Sequence, residues 1–295
     1  MVLLLACMLA SCRVGTHRDG RYLPAISGLT ALGPGCWLTV HDGRLPTEAR
    51  FGTVMLDVAR RPAYRELAAD ALPVASDRLI DIEAAAAVPG RNGEFLVLES
   101  GARLPGAAGR RRLVHAAVVA GATHIDLRGT CDVLPSTTIL NNCEAMLCWQ
   151  HGDSLRLLIA DRGQGSSSAN YVAGALELTP ECTFRAEPGA SGSLAGTLTG
   201  DRARACADLL LAADDTIWST STVDPGTAGP FRSVISRVGR LDRTSGWPVF
   251  HAPEPIHHLD GFKVEGLAQD AAGRIWIAVD DEDFGGALRP LPPAN

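Results

Sequence analysis

The feature that most constrains this chain is a hairpin signature that recurs five times at intervals of about 60 residues. Each copy opens on an acidic or hydroxyl residue, crosses a short apolar stretch and a turn, passes a large apolar residue and ends in another polar side chain. The copies run from Ser27-Gly28-Leu29 to Trp37 and His41-Asp42, and from Glu83-Ala84-Ala85 to Phe95 and Glu99-Ser100. They continue from Glu144-Ala145-Met146 to Leu157 and Asp161-Arg162, from Asp208-Leu209-Leu210 to Trp218 and Thr222, and from Glu265-Gly266-Leu267 to Trp276 and Asp280-Asp281. Successive openings are 56, 61, 64 and 57 residues apart. A period of this size built from short apolar runs reads as an all-β repeat, and the architecture it specifies is a β-propeller.

Strand-sized runs can be placed inside the repeats. In the second, residues 80–88, 94–100, 113–120 and 123–127 are aliphatic or β-branched and are separated by Pro-Gly, Gly and Arg-rich turns. The fourth divides likewise into 208–212, 216–222, 231–238 and 247–251. Four strands per repeat give five four-stranded blades, or six if residues 55–71 form a blade with degraded signals. The last repeat has room for about three strands, so residues 21–26 are expected to supply an N-terminal strand that closes the last blade and leaves no open edge. Trp37, Phe95, Leu157, Trp218 and Trp276 share one aligned position and read as core between blades.

The first twelve residues stand apart. An apolar run too short to span a bilayer ends in Leu9-Ala10-Ser11-Cys12, which resembles the lipobox of bacterial lipoproteins. That reading makes residues 1–12 a signal segment, Cys12 the lipidated residue, 13–24 a linker and 25–295 a single propeller domain. It places the chain outside the cytoplasm, periplasmic or at the cell surface, held to a bacterial membrane through its anchor alone. A cleaved secretory signal and a buried N-terminal segment are the competing readings. Beyond Cys7 and Cys12 six cysteines remain, Cys36, Cys131, Cys143, Cys148, Cys182 and Cys206. An oxidising compartment allows them to pair, but sequence does not select a pairing. Zinc ligation and free buried thiols are the alternatives.

A formal net charge of -6, with no basic stripe, argues against a nucleic-acid partner. The Arg110-Arg111-Arg112 cluster reads as a solvated loop, and nothing suggests more than a monomer. No G-x-S-x-G, P-loop, H-E-x-x-H or G-x-G-x-x-G in the right context is present, and Gly163 to Ser168 reads as a turn.

Hairpin geometry converts the repeat into a spatial expectation. If the opening residue starts the innermost strand and the second polar residue ends the next antiparallel strand, both lie at one end of the hairpin. Around the ring this gathers Asp42, Glu83, Glu99, Glu144, Asp161, Asp208, Glu265, Asp280 and Asp281 at one mouth of the central channel. Carboxylates so close must be protonated, hydrogen-bonded or bridged by a cation, and hard oxygen ligands favour Ca²⁺. The competing reading is structural, with each acid hydrogen-bonded to backbone of the neighbouring blade.

The C-terminal stretches Lys263-Val264-Glu265-Gly266-Leu267 and Asp280-Asp281-Glu282, followed by Gly285-Gly286, resemble the phytase-like β-propeller proteins, in particular a bacterial group with a K-x-E-G-L hairpin and a D-D-E-x-x-G-G tail. Residues 142–146 with 158–163, and 81–84 with 98–100, fit weaker copies of the pattern. The resemblance implies acidic channel residues holding Ca²⁺, here Glu83, Glu144, Asp161, Glu265, Asp280 and Asp281, with a small anionic substrate. Candidate reactive groups are Lys263, on the same strand face as Glu265, Arg162 and Arg289 as anion grips, and His258 as a base or ligand. The expected function is a calcium-assisted hydrolase of a phosphate ester or small ester. A non-catalytic, lipid-anchored binding or scaffold propeller is the alternative.

Overall fold

The structure is a computed structural model. It describes residues 24–43, 49–56, 62–69, 79, 81–101, 111–118, 123–132, 140–178, 182–282 and 285–292. The readings of residues 1–12 as a signal segment, of Cys12 as its lipidation site, and of nearly all of the 13–24 linker lie outside the described residues.

Among the described residues nineteen strands form antiparallel meanders. The first holds β1 (Gly28–Gly33), β2 (Cys36–Val40), β3 (Phe51–Leu56) and β4 (Pro62–Ala69). The second holds β5 (Ile82–Ala87), β6 (Glu94–Glu99), β7 (Arg112–Val118) and β8 (His124–Asp132), and the third β9 (Cys143–His151), β10 (Ser154–Asp161), β11 (Ser168–Glu177) and β12 (Thr183–Ala195). The fourth holds β13 (Ala203–Leu211), β14 (Thr216–Val223), β15 (Arg232–Asp242) and β16 (Trp247–Asp260), and the last β17 (Val264–Gln269), β18 (Ile275–Asp280) and β19 (Gly286–Pro290). A short parallel pairing of Ala68 and Ala69 with His124 and Ile125 joins the outer edges of the first two meanders into one eight-stranded sheet. The described part of residues 55–71 is not a separate blade, because it supplies the end of β3 and the whole of β4 in the first meander.

The innermost strands β1, β5, β9, β13 and β17 each pack on the next, and β17 packs on β1. Between each adjacent pair of meanders lies its own apolar layer. Leu96, Leu98, Met146 and Ile159 fill the one between the second and third, and Leu147, Trp149, Leu209 and Ile217 the one between the third and fourth. The ring closes through Ile26, Leu29 and Trp37 against Trp276 and Leu288, with the Trp37 and Trp276 rings 4.4 Å apart. All five aligned large residues are buried, as their period requires. The inner strands approach so closely at this seam that a Cβ on Gly266 would lie 2.8 Å from the Leu29 Cβ.

Backbone hydrogen bonds at one end of the ring repeat the same step between meanders. The Cys143 N–H donates to Ser100 O, Cys206 N–H to Arg162 O, and Ile26 N–H to Val279 O. The last contact is what the described part of the expected closing strand contributes. Pro24 to Ile26 carry no strand of their own, and β19 has no further strand beside it among the described residues.

The strand limits follow the sequence reading closely in the second meander and depart from it in the fourth. There β13 begins at Ala203, five residues before Asp208, and β16 extends to Asp260, so His257 and His258 belong to an outer strand. The Arg-rich run is also not wholly solvated. Arg112 starts β7 and is buried, donating from Nε and Nη2 to the two carboxylate oxygens of Glu99 at 2.6 and 2.7 Å.

Candidate functional site

Four of the five inner strands, β5, β9, β13 and β17, enter the channel through an irregularity that aims side chains at the mouth. In β5 the register passes from Ile82 opposite Glu99 to Ala84 opposite Leu98, leaving Glu83 unpaired as a bulge. Glu144 is skipped in the same way in β9 and Glu265 in β17. A bulge re-aims one residue without ending the strand, so three glutamates from three meanders converge. Asp81 and Asn142, each two residues before its glutamate, have φ of 61° and 62°. Asp and Asn tolerate the left-handed region better than most residues, which suits them to this entry turn.

In the fourth meander the mouth position belongs to a cation. Arg204 lies opposite Thr222, and its guanidinium meets Glu144 Oε2 at 3.3 Å, Glu265 Oε1 at 2.5 Å and Asp224 Oδ2 at 2.5 Å. Lys263, 2% exposed, meets Asp280 at 2.9 Å, Glu265 at 3.2 Å and Glu282 at 2.5 Å. Arg162 contacts Glu144 Oε1 at 3.0 Å. Burial alone would depress Arg204 and Lys263, but the facing carboxylates override it and hold both well above their ordinary values. Burial raises Glu265 against the pull of Lys263 and Arg204, while Asp280 is held low because Lys263 overrides its burial. Asp281 accepts the Lys263 backbone N–H at 2.8 Å, and burial raises it to about 6.

Several expected ligands have structural partners instead. Asp161 Oδ1 accepts the N–H groups of Gly163 and Asn170 at 3.1 and 2.8 Å, and its Oδ2 accepts from Asn141 N and Asn170 Nδ2. It pins the 162–170 loop. Asp208 is inside β13 rather than at its start, and its Oδ2 takes the Leu267 N–H at 2.6 Å across to β17. Glu99 is matched by Arg112. Of the reactive candidates, Lys263 and Arg162 are at the mouth within ion pairs. Arg289 on β19 stacks over the Phe262 ring at 3.9 Å. His258 is exposed on β16, the outermost strand of its meander, away from the channel.

The sequence reading missed two components. Arg204 is one, although the spacing held a signal: Glu144 to Arg204 and Arg204 to Glu265 are 60 and 61 residues, more even than the 64 and 57 obtained through Asp208. The other is Asp81. Ligand atoms of Asp42, Asp81 and Glu83 all lie within 4.8 Å of one another at the junction of the first two meanders. Asp81 is buried and accepts from the Ser100 hydroxyl, whereas Asp42 and Glu83 are half-buried. Glu83 has no hydrogen bond or cation partner among the described residues. Burial first, then Glu144, Asp81, Glu265 and Asp42, push its carboxyl well above the usual range. Beneath the mouth the channel turns apolar, a cavity of about 290 Å³ lined by all five inner strands, among them Leu29, Ala86, Met146, Leu210 and Leu267.

The donor set distinguishes where a cation fits. Glu144 and Glu265 share the Arg204 guanidinium, so a metal between them would meet a fixed positive charge. The Asp42–Asp81–Glu83 group offers three hard oxygen ligands within 4.8 Å of one another, a donor set that fits Ca²⁺ chemistry.

No protein family and no curated protein matches this chain. Solved structures do resemble it. A GH43 β-1,3-galactosidase with galactodeoxynojirimycin superposes with a TM-score of 0.55 at 10% identity, over 95% of this chain and 93% of that one. An exo-1,5-α-L-arabinanase from a bovine ruminal metagenomic library gives 0.51 at 11% identity, over 90% and 92%. A structure from the GH130 family, which contains glycoside hydrolases that target β-1,2-mannosidic linkages in Candida mannan, gives 0.56 at 10% identity, over 93% and 86%. At such identities the likeness concerns the fold, and with the ring of inner strands it makes this chain a β-propeller.

Proposed function

We propose that the chain is a five-bladed β-propeller hydrolase acting on glycosidic bonds at the acidic mouth of its channel. Glu83 serves as general acid, and Asp42 is the partner carboxylate, acting as base or nucleophile. The observation that carries the reading is Glu83 itself: a bulge-aimed, half-buried glutamate whose carboxyl is pushed well above the usual range by burial and by the carboxylates around it. Glycoside hydrolysis needs one carboxyl group that holds its proton and one that is ionised. Asp81, tied to Ser100, positions the pair, and the Arg204 and Lys263 networks keep the rest of the mouth rigid. The substrate class is drawn from the names of the structural neighbours, which act on galactosides, arabinans and mannosides.

The test is hydrolysis of aryl galactosides, arabinosides and mannosides by the wild-type chain and by Glu83→Gln. General acid catalysis contributes about 10²–10⁴-fold, so kcat should fall by that order while the fold persists. Equal turnover by Glu83→Gln would exclude the acid role.

A second reading is favoured by the mutual proximity of Asp42, Asp81 and Glu83. These carboxylates would hold Ca²⁺, which would polarise water for hydrolysis of a phosphate or small ester, as the phytase-like resemblance implies. Calcium-dependent turnover of an aryl phosphate, with an upward shift in Tm at millimolar Ca²⁺, supports this second reading. Absence of all turnover leaves the binding or scaffold role. The lipid anchor remains part of the proposal: Cys12→Ser should release the chain from membranes, and continued pelleting counts against it.

A further inference from the structure

The six cysteines that sequence could not pair resolve into one close pair. Cys131, half-buried near the end of β8, and Cys182, buried just before β12, have their sulfurs 3.0 Å apart. A disulfide requires about 2.05 Å, so bond formation asks for a shift of about 1 Å. The two residues are 51 apart in sequence and belong to different meanders. Both contribute to the apolar layer between the second and third. The other thiols are in different surroundings: burial pushes Cys143 and Cys148 up to about 12 and raises Cys206 and Cys36 as well. Cys182 is lowered, because Cys131 hydrogen-bonds to it.

We propose that Cys131 and Cys182 form a redox-sensitive disulfide that staples the outer strands of the second and third meanders. The oxidant is a small-molecule disulfide. Cys131, the more exposed sulfur, first exchanges with it to give a mixed disulfide and one released thiol. The Cys182 thiolate then attacks the Cys131 sulfur, the mixed S–S bond breaks, and the second small thiol leaves. Two protein thiols are oxidised, one small disulfide is reduced to two thiols, and the protein's two protons pass to them. Because the bond closes a long loop between sheets, it restricts the unfolded chain and raises Tm.

The experiment uses the full chain, folded, in buffers of oxidised and reduced glutathione. Proteolysis without reductant and mass mapping should find the peptide containing Cys131 joined to the one containing Cys182 after oxidation. They should separate after reduction. Tm of the oxidised protein should exceed that of the reduced protein by on the order of 5 °C, and the difference should vanish in Cys131→Ser and in Cys182→Ser. Mapping on the wild-type chain stands even where a serine variant fails to fold. A bond joining any other pair, or none in excess oxidised glutathione, overturns the proposal.

Discussion

Arg204→Met tests whether the mouth is held together by charge. Arg204 is the cation shared by three carboxylates, from the third, fourth and fifth meanders, at 3.3, 2.5 and 2.5 Å, and its side chain is 10% exposed. Methionine keeps the stem and removes the charge, leaving Glu144 and Glu265 buried without their common partner. Breaking a buried pair from one side costs about 3–5 kcal/mol. For a chain of this size that corresponds to a fall in Tm of about 5–8 °C, measured by thermal melts followed by circular dichroism. The loss should depend on pH. Without Arg204 the folded-state pKa of Glu265, already raised by burial, rises further, and a raised folded value means stability that is present in acid and lost as pH climbs from the ordinary carboxylate value to it. The deficit should therefore be larger at pH 8 than at pH 5. Arg185→Met supplies the control: its pairing with Glu177 is largely exposed, and Tm should not change measurably. A loss below about 2 °C, or an equal loss at both pH values, would refute the reasoning.

Three further outcomes follow from the geometry. Glu83→Gln should leave Tm unchanged in acid and raise it at pH 8, because the replaced carboxyl, raised by burial and neighbouring acids, costs stability only where it ionises; a fall at pH 8 would mean that an unseen partner binds the carboxylate. His41 is buried, bonded to Ala25 O at 2.6 Å and lowered by burial to about 4. Its stabilising contribution is present above the ordinary histidine value and lost as pH falls toward 4, so His41→Gln should flatten urea stability across that window by about 3 kcal/mol. Asp161→Ala removes the acceptor for the backbone N–H groups of Asn141, Gly163 and Asn170 and should cost about 2–3 kcal/mol, with faster hydrogen exchange confined to residue 141 and residues 162–170.

Period and pattern carry far in a propeller because each meander repeats one solution to the same burial problem. An aligned large residue every 60 or so positions must face the neighbouring sheet, so Trp37, Phe95, Leu157, Trp218 and Trp276 could be assigned to core from sequence. The hairpin argument likewise placed Glu83, Glu144 and Glu265 at one mouth, since strand pairing is local and residues at the open end of a hairpin meet regardless of the rest of the fold. The same argument failed for Asp208. A wider irregularity between Arg204 and Asp208 shifts the fourth hairpin, and such a shift depends on packing between sheets.

Which polar groups would gather was thus decided by the sequence, through the alternation of strands and the position of turns. What each group would do was decided only by the tertiary structure. Glu144 opens and Asp161 closes the third hairpin, yet Asp161 is consumed by loop N–H groups and Glu144 by Arg204 and Arg162. Burial and the neighbouring acids push the Glu83 carboxyl well above the usual range, and Cys131 meets Cys182 although four other pairings of Cys131 were open in sequence. Charge state and partnership depend on the distance between side chains from different meanders, and that distance is set by the closure of the ring.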